Sequence, residues 1–236
     1  MSTVAYITFR GLFGRRRVLL LLPLPLLMIA LALICRGYDV EPSQWGQAVI
    51  VGLGFVVVLP VTALIVGTGV LGSEIDDGTI VHILTKPLPR RDIIFAKLLV
   101  AAPVSAISAA IPLFIAGVLA DSVAFGLALV VAAVVGAIAY SSLFLLLSLL
   151  SRRPVLLGLA YVLVWEGLLG RFISGTRVLS IEQYAIALAD KIHPTDILPG
   201  KVSIPVAIVM SAIFAIGGTI YAIQRLGSFS VAGETS

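Results

Sequence analysis

The chain has 236 residues, of which 60% are hydrophobic and only 12% are charged, and its mean hydropathy is +1.15. Soluble domains carry about twice that fraction of charged residues. This composition excludes a soluble globular domain, because there is too little polar surface to face water, and it predicts lipid as the solvent. The single cysteine, Cys35, excludes an internal disulfide.

Six apolar runs predict the spans of an all-α polytopic membrane protein whose single transmembrane domain covers residues 1–236. A helix needs about 20 apolar residues to cross the hydrocarbon core. Four runs reach that length, the first is slightly short, and the fifth is short enough that we expect it to end early or break. Small residues recur at four-residue spacing, which lets helix backbones approach closely. The predicted spans are 18–35, 48–71, 98–120, 123–150, 155–171 and 204–223.

The residues before the first span have three competing interpretations. Residues 3–13 mix apolar and aromatic side chains with few charges, which predicts a helix along the inner membrane surface, with a short disordered tail as the alternative. The arginines at 15–17, the apolar run and Cys35 together resemble a lipoprotein signal peptide. That interpretation is disfavoured, because the run is too long for a signal peptide and the bulky Ile34 precedes the cysteine.

The basic residues predict the topology. If the N-terminus is cytoplasmic, most of the 16 Lys and Arg residues fall in segments on the inner side. Short loops rich in Lys and Arg stay in the cytoplasm. Because the number of predicted spans is even, both termini are predicted to be cytoplasmic.

The segment between the second and third spans, residues 73–92, is far longer than a hairpin turn requires. Asp76 and Asp77 can cap the start of a short helix and favour the positive end of its dipole. Lys86 suits the end of that helix, and Pro87 stops it. The segment therefore predicts a capped cytoplasmic helix of about two turns.

This short helix has an apolar ridge formed by Ile80, Ile83 and Leu84, which share one face at i, i+3, i+4 spacing. An apolar ridge must be buried. The residues alone leave two interpretations open: the ridge lies back on the bilayer or its own bundle, or it docks into a soluble partner.

Glu166 is the one acidic residue well inside a predicted span. Counting along the fifth helix places it near mid-membrane. A charge there is costly, so the side chain should face a cavity, pair with a partner or be neutral. It either lines a path or touches a partner subunit, or it is a polar anchor near the outer face, as a short fifth helix would allow.

Residues 173–203 form a long segment on the predicted outer side. The run 180–183, Ser-Ile-Glu-Gln, is typical of a capping box at a helix start. The helix would be amphipathic, lying at the interface or dipping into the membrane as a re-entrant lid; a helix that only seals the top of the bundle is the alternative. Its apolar face would consist of Ile181, Tyr184, Ala185, Leu188 and Ile192.

The loop 73–92 resembles the first cytoplasmic loop of the type-2 ATP-binding-cassette (ABC) exporter permeases. In that family an acidic residue, a Gly-Thr pair, a Leu-rich short helix, a Pro, basic residues and then a Lys at the next span form a coupling helix. Chain length, span count and the Tyr161, Trp165, Glu166 and Ser180 pattern also agree. Asp76-Asp77 departs from many relatives, which have Glu or Arg there. The loop residues that carry the resemblance are Glu74, Asp77, Gly78, Thr79, Leu84, Pro87, Arg90 and Lys97.

The resemblance implies a mechanism. Two permease halves, this chain and a second copy or a paralogue, form the pathway, and each inserts its coupling helix into a separate ATPase subunit that binds ATP and Mg. ATP-driven closure of the ATPase pair then drives export. Trp165 and Glu166 are implied at the translocation path or the permease dimer seam. The residues implied to contact the ATPase are Glu74, Asp77, Gly78, Thr79, Ile80, Ile83, Leu84, Pro87 and Arg90.

The chain is not predicted to be an enzyme and is expected to bind no cofactor or metal directly. It contains no Gly-x-x-x-x-Gly-Lys-Ser/Thr loop, since Gly200-Lys201 is followed by Val202. The expected partners are an ABC ATP-binding subunit, a second permease and membrane lipid, with no nucleic acid. The excess of Arg over Lys and the absence of Asn suggest a GC-rich bacterial genome. The expected location is therefore a bacterial plasma membrane.

Two other function classes stay open as alternatives. A membrane scaffold or assembly protein could also present a docking helix. An ion-coupled secondary carrier would require several buried ionisable residues, and Glu166 alone is thin support for one. An intramembrane enzyme is disfavoured because the common metalloprotease and serine hydrolase motifs are missing. The apolar spans favour a hydrophobic or amphipathic cargo such as a drug, lipid or peptide.

Overall fold

The computed structural model describes residues 19, 21–76, 89–151, 153–169 and 174–228, with the backbone alone for 72–76, 169, 174–176 and 228. These residues are mostly helical and contain no strand. A 3-10 segment, Ser174–Leu179, precedes the sixth helix. In chain order the helices are α1 (Pro23–Gly37), α2 (Pro42–Gly46, the π-helical Gln47–Val58 and Leu59–Asp76), α3 (Arg90–Ala120), α4 (Val123–Leu150), α5 (Pro154–Ala160 and the π-helical Tyr161–Leu169), α6 (Ile181–Ile192) and α7 (Ile204–Ala212, the π-helical Ile213–Gly217 and Gly218–Ser228).

Four of these helices, α2, α3, α4 and α7, are long and apolar enough to cross a membrane. α1 and α5 are apolar but shorter, which agrees with the two runs that the sequence marks as short. The prediction of an all-helical membrane bundle is confirmed. The division into six spans stays a prediction.

The helices extend beyond the apolar runs that predict them. α3 begins at Arg90 rather than at residue 98, and α2 continues to Asp76 rather than ending at residue 71. Hydropathy marks only the part of a helix within hydrocarbon, whereas the backbone hydrogen bonds continue where polar side chains reach the interface. Both ends of the predicted loop 73–92 are therefore helical. Asp76, predicted as the start of the short helix 76–86, instead ends α2, since the backbone stays helical to that residue. The rest of that predicted helix and the predicted helix at 3–13 lie outside the described residues.

α1 starts later than the first apolar run, at Pro23 instead of residue 18. Proline suits the first turn of a helix, because its missing N–H would have no intrahelical partner there and its φ angle is already helical. The apolar run and the helix thus share an end near Cys35 but not a beginning.

α4 is the central helix and packs against α2, α3, α6 and α7. α3 and α4 form a hairpin whose turn is Asp121 and Ser122, and the Ser122 hydroxyl caps α4 by accepting from the N–H of Phe125 at 3.2 Å. Near this turn Gly117 and Gly126 touch, since a Cβ on Gly117 would lie 2.8 Å from the Cα of Gly126. Small residues thus allow the backbones to meet, as their spacing predicts.

The outward faces of the bundle are apolar. Leu99 on α3, Leu163 on α5 and Ile208 on α7 are among many exposed large hydrophobic side chains. Exposure of each of these side chains to water would cost about 1.5–3 kcal/mol of free energy relative to burial. Against lipid tails this cost disappears. This surface suits a bilayer.

The bundle has two ends, which we name by the predicted topology. We call the end that holds the last turn of α2 and the first turn of α3 the inner end, following the charge-based topology. The opposite end, with the α3–α4 turn and α6, is the outer end. α6 packs against α4, α7 and the π-helical part of α2.

Candidate functional site

At the inner end a buried lysine joins the two helices that flank the predicted coupling loop. Lys97 on α3 is 0% exposed, and its Nζ donates a hydrogen bond of 2.6 Å to the backbone carbonyl of Val70 on α2. An ammonium group near the last turns of a helix also interacts favourably with the negative end of its dipole. The bond fixes the spacing of α2 and α3 just before the loop leaves the bundle.

Two of the predicted coupling residues lie at the described edges of this loop. The backbone of Glu74 belongs to the last turn of α2, and Arg90 begins α3. Arg90 is half-buried, and its Nη1 is shielded from solvent without donating to any described residue. The other predicted coupling residues lie outside the described part of the chain: Asp77, Gly78, Thr79, Ile80, Ile83, Leu84 and Pro87.

At the outer end the carboxylate of Glu166 holds the start of α6. Glu166 is 1% exposed. One oxygen, Oε1, accepts from the N–H of Ile181 at 3.1 Å and from the hydroxyl of Tyr161 at 3.0 Å. The other, Oε2, accepts from the hydroxyl of Ser180 at 2.6 Å and from the N–H of Glu182 at 3.4 Å.

This arrangement explains how a carboxylate can be buried here. The first N–H groups of a helix have no partners within the helix and form the positive end of its dipole. Glu166 satisfies the N–H groups of Ile181 and Glu182, while Ser180 accepts from the N–H of Gln183 at 3.4 Å. These hydrogen bonds and the positive end of the α6 dipole stabilise the buried carboxylate.

Trp165 connects α5 to the 3-10 segment that precedes α6. Its Nε1 donates to the carbonyl of Leu179 at 3.1 Å, and the side chain is half-buried. From the other side, the hydroxyl of Tyr184 donates to the carbonyl of Val178. The 3-10 segment before α6 is therefore tied to both α5 and α6.

Aromatic side chains line the space behind Glu166. Tyr140 stacks on Phe144, with ring centroids 5.7 Å apart, and Phe144 meets the edge of Tyr161 at 6.4 Å. The hydroxyl of Tyr140 lies near Glu166 but makes no hydrogen bond of good geometry to the described residues. These rings exclude water from the carboxylate, which strengthens its hydrogen bonds.

The structure brings Trp165, Glu166 and Ser180 together at one end of the bundle, and the last turn of α2 and the first turn of α3 lie at the opposite end. Sequence periodicity did not reveal the Tyr161–Glu166 bond, because it joins residues at i and i+5. That spacing faces the same way on a π-helix but not on an α-helix. The sequence analysis also did not predict the Lys97–Val70 bond, although the resemblance names Lys97.

Among the described residues no group of three or more His, Cys, Asp or Glu side chains could hold a metal ion.

Comparison with known proteins identifies the family. The family model described as "ABC-2 family transporter protein" matches residues 15–180, which include the whole of the loop 73–92 and Glu166. No curated protein matches the sequence. The matched region covers well over half of the 236 residues. The chain therefore belongs to the ABC-2 family of transporter proteins.

Proposed function

We propose that this chain is the permease subunit of an ATP-driven exporter, and that the helix predicted over residues 76–86 couples it to a separate ATPase subunit. The observation that carries the proposal is the family match, which spans this loop and both helices that flank it. The partner ATPase would bind ATP and Mg. A second copy or a paralogue would complete the pathway in a bacterial plasma membrane, with six spans and both termini cytoplasmic.

The inner end supports this proposal physically. A coupling element transmits force only if it is attached to rigid helices. α2 and α3 pack together, and the Lys97–Val70 bond holds their ends at a fixed separation. A displacement of the loop would therefore reach α2 and α3 together.

The outer end supports a positioning role for Trp165 and Glu166. In the single chain the Glu166 carboxylate is enclosed by groups of α5 and α6, so its contribution to the path or to the dimer seam would pass through α6. We propose that it anchors α6 over the outer end of the bundle, where α6 acts as a lid.

The experiment replaces Leu84 with Asp. Burial of each large side chain of the ridge in a partner groove would contribute about 1.5–3 kcal/mol, before the cost of association is subtracted. A charge at Leu84 removes that contribution and leaves an uncompensated carboxylate in the contact. We expect the amount of ATPase that copurifies with the permease to fall at least tenfold, since about 1.4 kcal/mol corresponds to a factor of ten.

His82→Asp is the matched control, because it introduces the same charge on a different face of the predicted helix. It should leave copurification and transport nearly unchanged. If the Leu84→Asp permease keeps its full complement of ATPase and its transport activity, the ridge is not the docking surface and the coupling proposal fails.

A further inference from the structure

An apolar groove of about 260 Å³ runs between α4, α6 and α7, from the outer end of the bundle toward the middle of α4. Ile138 and Ile208 line this groove, and both side chains are exposed. The groove therefore opens to the surroundings of the bundle, which in a membrane are lipid. We call it the α4–α6–α7 groove; its walls include Val135 and Ile138 of α4, Leu188 of α6, and Ile208 and Ala212 of α7.

The α4–α6–α7 groove offers few polar atoms to a ligand. Tyr184 belongs to its lining, but the hydroxyl of Tyr184 donates to the carbonyl of Val178. Ser211 also belongs to the lining and is buried. The other lining residues are aliphatic, so the groove suits hydrocarbon better than a polar ligand.

The size of the groove restricts its occupant. Sites for drug-sized molecules measure about 300–1,000 Å³, so this groove is smaller than most of them. A partner helix, about 10–12 Å across with its side chains, is too wide to enter it. A single acyl chain is narrow and flexible enough to do so.

A lysine stands at the outer end of the groove. Lys191 and Ile192 follow Leu188 by three and four residues on α6, so they continue the face that lines the groove. Both side chains are exposed. Among the described residues the ammonium group of Lys191 forms no ion pair.

Two carboxylates near this end of α6 are directed to other groups. The carboxylate of Asp190 lies against Gly200, since a Cβ on that glycine would be 2.5 Å from Oδ2. The carboxylate of Asp121 lies 3.5 Å from Nε2 of His193. Neither one compensates the charge of Lys191, which leaves an exposed cation at the end of an apolar groove.

We propose that the α4–α6–α7 groove binds one acyl chain of an anionic phospholipid whose phosphate lies beside Lys191. The long lysine side chain can lie along apolar surface while its ammonium group reaches the level of the head groups. The acyl chain would contact Leu188, Ile208 and Ala212. A lipid bound in this way would hold the last turn of α6 against α4 and α7. Binding requires neither ATP nor the ATPase.

The test measures lipid binding to the purified permease by native mass spectrometry. The two probes are phosphatidylglycerol, which is anionic, and phosphatidylcholine, which is zwitterionic, with identical acyl chains. We expect phosphatidylglycerol to bind about fivefold more tightly, because one basic residue at a membrane surface is worth about that factor for an anionic lipid. The single-chain lyso forms should show the same preference, since the groove holds one chain. Equal binding of the two probes would overturn the proposal.

Two lysine variants locate the head group. Lys191→Gln should abolish the preference for phosphatidylglycerol. Lys201→Gln, an equal loss of charge, should keep it, because Lys201 lies at the cavity lined by Gln183 and Ile186 on the other side of α6. A preference that survives Lys191→Gln, or that falls equally in both variants, would mean that the net charge of the protein attracts the lipid and that the site does not exist.

Two alanine variants locate the acyl chain. Ala212→Leu places a larger side chain in the groove from an exposed position, so the fold should tolerate it. We expect it to weaken both lipids at least about fourfold, the value of one buried methylene group. Ala160→Leu, the same change on the exposed surface of α5, should weaken neither. Unchanged binding to the Ala212→Leu permease would overturn the assignment to this groove.

Glycerophosphoglycerol, the head group without its chains, distinguishes a lipid from a soluble anion. Competition by this compound at the affinity of the lipid would overturn the assignment of an acyl chain. None of these measurements involves the ATPase, so failure here is separate from failure of the coupling proposal.

Discussion

The carboxylate of Glu166 shows how one residue can connect two helices of a membrane protein. An isolated charge in hydrocarbon costs about 2.5–3.5 kcal/mol or more. Here the cost is offset by two hydroxyl donors, Tyr161 and Ser180, and by two backbone N–H groups of α6. The same bonds satisfy amides that would otherwise be orphaned, so residue and helix stabilise each other.

This interaction predicts the hydrogen exchange of two amides. In Glu166→Ala the N–H groups of Ile181 and Glu182 lose their acceptor, and no carbonyl within α6 can replace it. We expect their exchange to accelerate about tenfold or more, corresponding to a loss of roughly 1.5–3 kcal/mol for bonds to a charged group. Amide hydrogen exchange on the reconstituted permease, read by mass spectrometry of the peptide that contains residues 181–183, measures this acceleration.

Trp165→Phe is the neighbouring control, because it removes only the bond to the carbonyl of Leu179. It should leave the amides of Ile181 and Glu182 protected. Unchanged exchange of these two amides in Glu166→Ala would show that the carboxylate does not anchor α6.

The sequence singled out Glu166 and Ser180 but did not predict that the two residues are in contact. The burial cost of a carboxylate singled out Glu166, and the capping pattern singled out Ser180. They are separated by fourteen residues, and the sequence left open whether α6 lies at the interface, re-enters the membrane or seals the top. Only the fold shows that Glu166 reaches the helix start that Ser180 caps.

Among the elements, α4 was predicted with its observed bounds, 123–150, because polar or turn residues flank its apolar run on both sides. The π-helical segments in α2, α5 and α7 were not predicted. A π-turn depends on contacts that hold the displaced carbonyls, and those contacts come from other helices. In α7 the contact is Ser142 of α4, whose hydroxyl donates to the carbonyls of Ala215 at 2.9 Å and Phe214 at 3.2 Å.

The stability of the α4–α7 contact should depend on this hydroxyl. Ser142→Ala removes the donor to the two carbonyls and the contact with Thr219, whose hydroxyl oxygen lies 3.2 Å away. We expect a loss of about 0.6–1.7 kcal/mol, the range for hydrogen bonds between membrane helices. A lower midpoint of thermal unfolding in detergent would report it.

Ser148→Ala tests the same change on the same helix. Among the described residues the Ser148 hydroxyl bonds within α4, to the carbonyl of Phe144 at 2.9 Å, so its loss removes no contact between helices there. Its midpoint should stay at the wild-type value. Equal midpoints for Ser142→Ala and the wild type would mean that the π-turn does not rely on Ser142.

For the whole molecule, hydropathy and charge predicted the helical order and an orientation, because both follow from transfer of side chains between water and lipid. Which helices touch was not predicted. In lipid all outward faces are equally apolar, so packing is decided by small residues and buried polar contacts such as Gly117–Gly126 and Lys97–Val70.

The orientation is open to a direct test with reporter fusions. A reporter placed after Gly227, at the end of α7, should be active only as a cytoplasmic reporter, whereas one placed after Ser122, in the α3–α4 turn, should be active only outside. The positive-inside bias is the physical reason. Outside activity at Gly227 would contradict the even number of spans, and cytoplasmic activity at Ser122 would contradict the orientation.

The contact between Gly117 and Gly126 also provides a point about which α3 can pivot. Because the two backbones already touch there, α3 and α4 cannot approach further at the outer end, and a swing of α3 away from α4 would turn about this fulcrum. From Gly117 to Arg90 the helix measures about 40 Å at 1.5 Å per residue, so a turn of about 5° would carry Arg90 through about 3.5 Å. A rotation of α3 by a few degrees about the Gly117–Gly126 contact would thus move the end of α3 beside the loop by the size of a side chain.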